Sequence, residues 1–511
     1  MGRVNTVKEK KAKKENIFPK IGKTLKNSFR NIVKLLKTVK INKKVLYCIL
    51  GLIVVFLLIK IISPKQVDYP VIFNDTDGDL YLMTTKVDSK DKGVKLATSE
   101  TASKVKYANE TERYVLFQKE ENLYLYDAKK KGETKKLVNN VSGTNYYFSD
   151  DDKYIIALDE SGNLKVYNYK DVEKIEGSVS RIIEISDDYI VYEKDGSIYV
   201  RSIKPKKDDA EKIGSSSLSN ISFSKDSKNI MYINDNELHQ YNIKKNNDKK
   251  IANNVTSYYC DEDSCNKVMY VQDDNGKKLY YFDGKKDLEM VSEIFAVLAV
   301  NVDNQQVVYS KTNGNKFNIY YQKGKKNEAK IDEGLAGIKS VKMIGNEIYY
   351  LTSDSKLKFA KISGSKISRK LTVSSDVFGY LYEYKKGFAY VTNIDDYYNG
   401  DLYIAKGGKA KKIDENVGSS TLKVNKDGDR VYFIKGFGEE GELRYTKGGK
   451  SKLIDSKVHT YEYVRDNLIY LVKDYSASKA RGDLYRYTNK SVKIADEISR
   501  IASSPVVYEG K

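Results

Sequence analysis

"KVKYANETERYVLFQKEENLYLYDAKKKGETKKLV", Lys104–Val138, decides the fold. Apolar and aromatic residues alternate by two in four short runs, around Val105–Tyr107, Tyr114–Gln118, Leu123–Tyr126 and Lys136–Val138, with turn residues between them. Period two places alternate side chains on opposite faces of a strand, so the stretch predicts four antiparallel strands joined by tight turns.

The third run returns along the chain as "NLKVYNYKD", "SIYVRSIK", "ELHQYNIKK", "KLYYFDGKK", "DLYIAKGGK" and "DLYRYTNK". Its aligned aliphatic residues are Leu80, Leu123, Leu164, Ile198, Leu238, Leu279, Ile319, Leu357, Leu402, Leu443 and Leu484, spaced 34 to 45 residues apart. Helical solenoids share that period, but they need apolar residues at spacings of three and four over a dozen positions, which these units lack. Four strands in about forty residues predict an all-β fold of β-propeller blades. Eleven units exceed the usual four to eight blades, so two rings are expected, over 64–290 and 291–511, parting where "SEIFAVLAVNVDNQQ" is less blade-like. The first unit, "PVIFNDTDGDLYLM", lacks an opening strand and the last, "EISRIASSPVVYEGK", has strand to spare, which predicts a blade shared by the two ends. Forty-three tyrosines with no tryptophan suit sheets packed through both faces, where a broad ring fills space and its hydroxyl reaches a polar partner.

Several units resemble the TolB-like, WD40-like propeller repeats, in which a "FSPDGK" turn leads into a strand. "ISFSKDSKNIMYINDNELHQYNIKK" matches at Phe223, Ser224, Asp226, Lys228, Ile230, Leu238 and Tyr241. "YYFSDDDKYIIALDESGNLKVYNYKD" matches at Phe148, Ser149, Asp151, Lys153, Leu164 and Tyr167, and "LKVNKDGDRVYFIKG" keeps Asp427 and Gly428. The proline of that turn is missing throughout. The resemblance covers 70–511 and implies a shape, since a fold does not carry a function with it.

Ahead of the repeats, "VLYCILGLIVVFLLIKII" (45–62) is long enough at the helical rise to cross a bilayer, and a transmembrane helix is expected over 45–63. Residues 1–44 hold fifteen Lys and Arg against Glu9 and Glu15, a net +13 of the chain's +20. Positive charge beside a span predicts a cytoplasmic N-terminus, a cell-membrane location and an extracytoplasmic C-terminal region. Ile21, Leu25, Phe29, Ile32, Val33, Leu36 and Val39 fit an amphipathic helix on anionic lipid headgroups; a solvated tail that only sets topology fits as well. With only Phe18 and Phe29 among its charges the arm does not point to nucleic acid.

Catalytic signatures are missing. There is no G-x-S-x-G elbow, P-loop, dinucleotide glycine motif or H-E-x-x-H, and His239 and His459 read as blade residues. No cofactor is implied. Cys260 and Cys265 in "YYCDEDSCNKVMY" flank a hairpin turn that a disulfide would staple. Asp75, Asp77 and Asp79 resemble the start of a calcium loop, but Leu80 and Lys86 stand where an EF-hand needs glycine and glutamate, so a hairpin turn is the better reading. The longest inter-strand insertion, "YVTNIDDYYNGDLY", offers Asp395, Asp396, Tyr397 and Tyr398; the same corner is lengthened at Phe437 and Tyr475 in the next two units. These residues are the candidate binding loops, on one face of a ring.

The composition, rich in Lys, Asn, Ile and Tyr, points to an AT-rich, Gram-positive bacterium. The expected function is a non-catalytic binding or scaffolding protein at the cell envelope, its partner a protein or a wall polymer. The alternatives are a lyase or hydrolase with its site in the channel, and a transmembrane sensor.

Overall fold

The computed structural model describes residues 71–83, 94–98, 105–108, 113–127, 134–204, 210–326, 328–384 and 387–503. Blades 2 to 8 are separate four-stranded antiparallel sheets over 105–138, 141–176, 179–215, 219–252, 255–291, 296–335 and 338–374. Each is a meander whose strands, from inner to outer, follow chain order. The predicted strands of Lys104–Val138 are found at Val105–Tyr107, Tyr114–Lys119, Asn122–Asp127 and Thr134–Val138.

Blades 9, 10, 11 and 1 run together into one sheet: Val417 of blade 9's outer strand pairs with Lys435 of blade 10, and two long strands each serve two blades beyond it. Lys450–Arg465 is the outer strand of blade 10 and then the inner strand of blade 11, and Ser491–Ser503 passes in the same way from blade 11 to blade 1. The pivots are Val458, paired with Gly441 on one side and Lys473 on the other, and Ile498, paired with Gly482 and Asp75. Blade 1 is thus completed by the C-terminus: Ser503, Ile501 and Arg500 pair with Ile72, Phe73 and Asn74. The blade shared by the chain ends is present as the sequence implied.

Eleven apolar clusters fill the spaces between blades, one for each consecutive pair. Val71 and Phe73 of blade 1 pack with Leu468, Tyr470 and Val472 of blade 11, so the seams form a closed cycle. The expected parting near 290 is not marked by a break: Met290, Val291 and Ile294 pack with Val302, Val307 and Tyr309 of the next blade, and 68–511 form one compact unit. Apolar contact between sheets is the main stabilising term, and here each seam has its own cluster.

The tyrosines have a definite place. In nine blades an aromatic ring on the second strand lies directly opposite another on the third, from Phe73 with Tyr81 and Phe117 with Tyr124 to Tyr390 with Tyr403 and Tyr432 with Tyr445. Such cross-strand pairs each contribute roughly 0.2–1 kcal/mol. The buried hydroxyls are met by carboxylates: Tyr192 donates to Glu176 at 2.9 Å, Tyr232 to Asp248 and Tyr270 to Asp287 at 2.8 Å. Burial, then the carboxylate beside it, pushes each of these phenols up, so all three stay neutral donors.

The membrane-anchored architecture is corrected. Among the described residues no helix is long and apolar enough to cross a membrane, and the helical turns Ser419–Thr421 and Ala477–Lys479 are three residues each. The fold established is all-β. The stretch at 45–63 and the basic arm before it lie outside the described residues, and the cytoplasmic N-terminus and extracytoplasmic placement that rested on them are not carried forward.

Candidate binding face

In a meander of four strands, the turns joining second to third strands fall at the same edge as those leading from one blade's outer strand to the next blade's inner strand. On that edge blade 9 carries the connection Asn393–Tyr398, between strands Gly387–Thr392 and Asn399–Lys406. Asp395 organises it: its Oδ1 accepts the N–H of Tyr397 at 2.9 Å and of Asn399 at 2.8 Å. Asn393 and Tyr398 hold left-handed φ angles of 52° and 61°. The turn therefore projects Tyr397 and Tyr398 into solvent, 78% and 59% exposed, with Asp396 beside them.

The inner strand of the same blade, Val377–Tyr384, adds two more rings. Its ladder slips between Phe378 and Tyr382, with Gly379 at φ 70°, and this bulge leaves Tyr380 79% exposed and Phe378 39% exposed. Phe378 and Tyr398 lie 5.9 Å apart. Phe378 and Tyr380 were not among the residues expected from the sequence. They sit in an ordinary alternating run, and only the slipped register turns them outward.

Blades 10 and 11 are tied to this corner. Asn399 Nδ2 donates to the Phe437 carbonyl at 2.8 Å and the Phe437 N–H donates back to Asn399 Oδ1 at 2.9 Å. The Phe437 ring turns inward over Gly418, where an added Cβ would lie 2.5 Å from the Phe437 Cβ, so that position has no room for a side chain. Glu440 accepts the Tyr475 N–H and Glu439 the Ala477 N–H, both at 2.8 Å. Tyr475 stacks on His459 with ring centroids 3.6 Å apart and planes 3° off parallel, while His459 Nδ1 bonds the Glu439 carbonyl at 2.7 Å. Of the six loop residues singled out in the sequence, Asp396, Tyr397 and Tyr398 stand in solvent. Asp395 is engaged in its own turn, and Phe437 and Tyr475 are half-buried holders of the corner.

The other sequence candidates have structural partners. Cys260 and Cys265 are disulfide-bonded, with their Cα atoms 4.6 Å apart. In the turn preferred for Asp75, Asp77 and Asp79, Asp75 Oδ1 accepts the N–H groups of Asp77 and Asp79 at 3.0 and 2.9 Å, and Asp79 pairs with Lys95. Among the described residues no group of three or more acidic, His or Cys side chains could hold a metal. His239 stacks on Tyr232 and bonds Asp248 at 2.7 Å.

On the inner strands, Lys106 of blade 2 donates to the Thr144 and Tyr146 carbonyls of blade 3 at 3.0 and 2.7 Å, with its ammonium 3.9 Å from the centre of the Tyr147 ring. Burial lowers its amine to about 8. Lys423 makes the corresponding link from blade 10 to blade 11, to the Tyr461 carbonyl at 3.2 Å and Glu462 at 2.7 Å. Both lysines act as staples between neighbouring inner strands. At the opposite edge a cleft of about 370 Å³ between blades 4 and 5 is lined by Asp188, Arg201, Lys204, Glu211 and Tyr241, and Lys204 is already paired with Asp188 at 2.9 Å.

No family model matches the sequence, and no curated protein matches it. Among solved structures it is similar to a eukaryotic initiation factor, at 11% identity over 84% of this chain and 96% of that one, with a TM-score of 0.42. It is similar to the tricorn protease at 11% identity over 75% and 46%, with a TM-score of 0.31. Porphyromonas gingivalis dipeptidyl peptidase 4 aligns at 11% identity over 66% and 65%, with a TM-score of 0.35. The chain spans less than two thirds of the length of the last two. Likenesses this distant carry no argument about the chain, and TolB-like membership and membrane anchoring find no support in them.

Proposed function

We propose that this chain is a non-catalytic binding protein, in which the closed set of blades is a rigid scaffold and the corner edge of blades 9 to 11 holds a protein partner. The observation that carries this reading is the gathering of Phe378, Tyr380, Tyr397 and Tyr398 on blade 9, among seven exposed large apolar side chains in the described residues. An exposed group of large rings costs solubility unless something covers it, and tyrosine gives contact area at low conformational cost. The backbone beneath is held by the Asp395 turn and the Asn399–Phe437 bonds, so little ordering is left to be done on binding. A photo-crosslinking residue placed at Tyr397 of the full chain, in its native host, tests the reading. A discrete crosslinked partner is expected from position 397 and none from Lys245 at the opposite edge; equal yields at both positions, or none at 397, would refute it.

A further inference from the structure

We infer that the partner segment held by these corners is a lysine- or arginine-bearing polypeptide, a deepening that rests on the binding reading above. The edge that carries these corners is acidic, while the other edge carries both signs. Turns between second and third strands, and between blades, expose Glu121, Asp195, Asp235, Asp274, Asp376 and Asp396. At the other edge, turns between third and outer strands expose Lys170, Lys244, Lys245, Lys285, Lys286 and Lys326, but turns between first and second strands expose Asp188, Asp226, Glu262, Asp263 and Asp303. The chain is +20 overall, yet the corner stretches 375–376, 393–398, 436–440, 456–457 and 474–480 hold six carboxylates against Lys457 and Lys479.

The exposed rings lie within this acidic ground: Tyr397 and Tyr398 follow Asp396 directly, and Phe378 follows Asp376 by two residues. A ring face attracts an ammonium or guanidinium, neighbouring carboxylates add to that attraction, and the stem of a long cationic side chain covers the ring. An anionic partner would meet like charge at this edge, so the charge also sets what the face accepts.

The test is fluorescence polarisation on the full chain with three labelled probes: the peptide (Lys-Gly-Ser-Arg)3, its counterpart with Glu in place of Lys and Arg, and a neutral chito-oligosaccharide. The basic peptide is expected to bind, to weaken at least tenfold with Tyr397→Ala or with the pair Asp376→Asn and Asp396→Asn, and to be unchanged by Lys245→Ser with Lys286→Ser. Unchanged melting of each variant separates lost contact from lost fold. Basic-peptide binding that ignores the Tyr and Asp substitutions, or is absent, overturns the inference. If the acidic peptide or the oligosaccharide binds instead and is released by Tyr397→Ala, the face stands as a binding site and the charge assignment falls. If no probe responds to Tyr397→Ala, the assignment falls and the binding reading is left to the crosslinking result. Self-association of the chain that Asp376→Asn with Asp396→Asn abolishes would make a second copy the occupant and likewise overturn it.

Discussion

Asn399 and Phe437 exchange two hydrogen bonds across blades 9 and 10, side-chain amide to main chain in both directions, at 2.8 and 2.9 Å. The amide imitates a pair of backbone ladder bonds where no strand is available. Asn399 is 6% exposed, so losing it strands a buried N–H and a carbonyl. Asn399→Ala is expected to cost about 1–3 kcal/mol and to raise amide exchange at 393–398 and 436–440. Chemical denaturation and hydrogen exchange measure both; unchanged exchange there would dissociate the clamp from the loops.

Closure of the cycle rests on Ile498, which is fully buried and paired on both sides. Ile498→Ala should destabilise by about 2–5 kcal/mol, whereas the half-buried Ile501 next along the strand should cost less. Comparison of the two midpoints in urea checks the order, and the reverse order would place the closing contact elsewhere.

The buried Asp332 carboxylate joins blades 7 and 8. It accepts from Lys358 at 2.6 Å, Lys370 at 2.7 Å and Tyr350 at 3.0 Å. Burial raises its carboxyl, but these three donors outweigh burial and hold it below its ordinary 3.8. The stability it contributes is present above that value and is lost as pH falls through the lower, folded-state pKa. Asp332→Asn is expected to cost about 3 kcal/mol at pH 7 and to flatten stability against pH below about 4. Denaturation at a series of pH values reads the slope.

Lys106 gives the same direction of slope in an alkaline window, from a destabilising charge instead of a stabilising one. Below pH 8 it is charged whether folded or not and the fold bears the cost of burying it; between about 8 and its ordinary 10.5 only the unfolded chain keeps the proton, so stability rises with pH across that window. Lysine-selective NMR should show one amine with a midpoint near 8, and that signal should vanish in Lys106→Met. A midpoint among those of the surface lysines would mean that the amine is solvated.

The disulfide loop of blade 6 has a second organiser, Asp261, which accepts the N–H groups of Ser264, Cys265 and Lys267 at 2.6, 3.0 and 2.8 Å. The loop also grips blade 5, whose Asp226 N–H donates to the Asp263 carbonyl at 3.0 Å. Replacing both cysteines by serine should cost about 2 kcal/mol, as befits a short closed loop. Asp261→Ala should loosen amides of the loop even with the disulfide intact. Hydrogen exchange on the two variants separates the roles.

Period-two alternation and a repeat near forty residues were enough to establish the blades, their number and the shared terminal blade, because a strand's inside and outside are written two residues apart. The sequence also placed the turns, and so the corner loops that bear Tyr397 and Tyr398. It could not rank tyrosines of one stretch: Tyr390 is fully buried and Tyr397 is 78% exposed, and what separates them is register and a turn. Nor could it show that Phe437 closes over Gly418, that Glu439 and Glu440 are engaged by blade 11, or that the seam runs unbroken past residue 290. Those facts belong to contacts between residues about twenty to forty positions apart, and a local pattern holds no record of which neighbour's side chain will occupy the space it leaves.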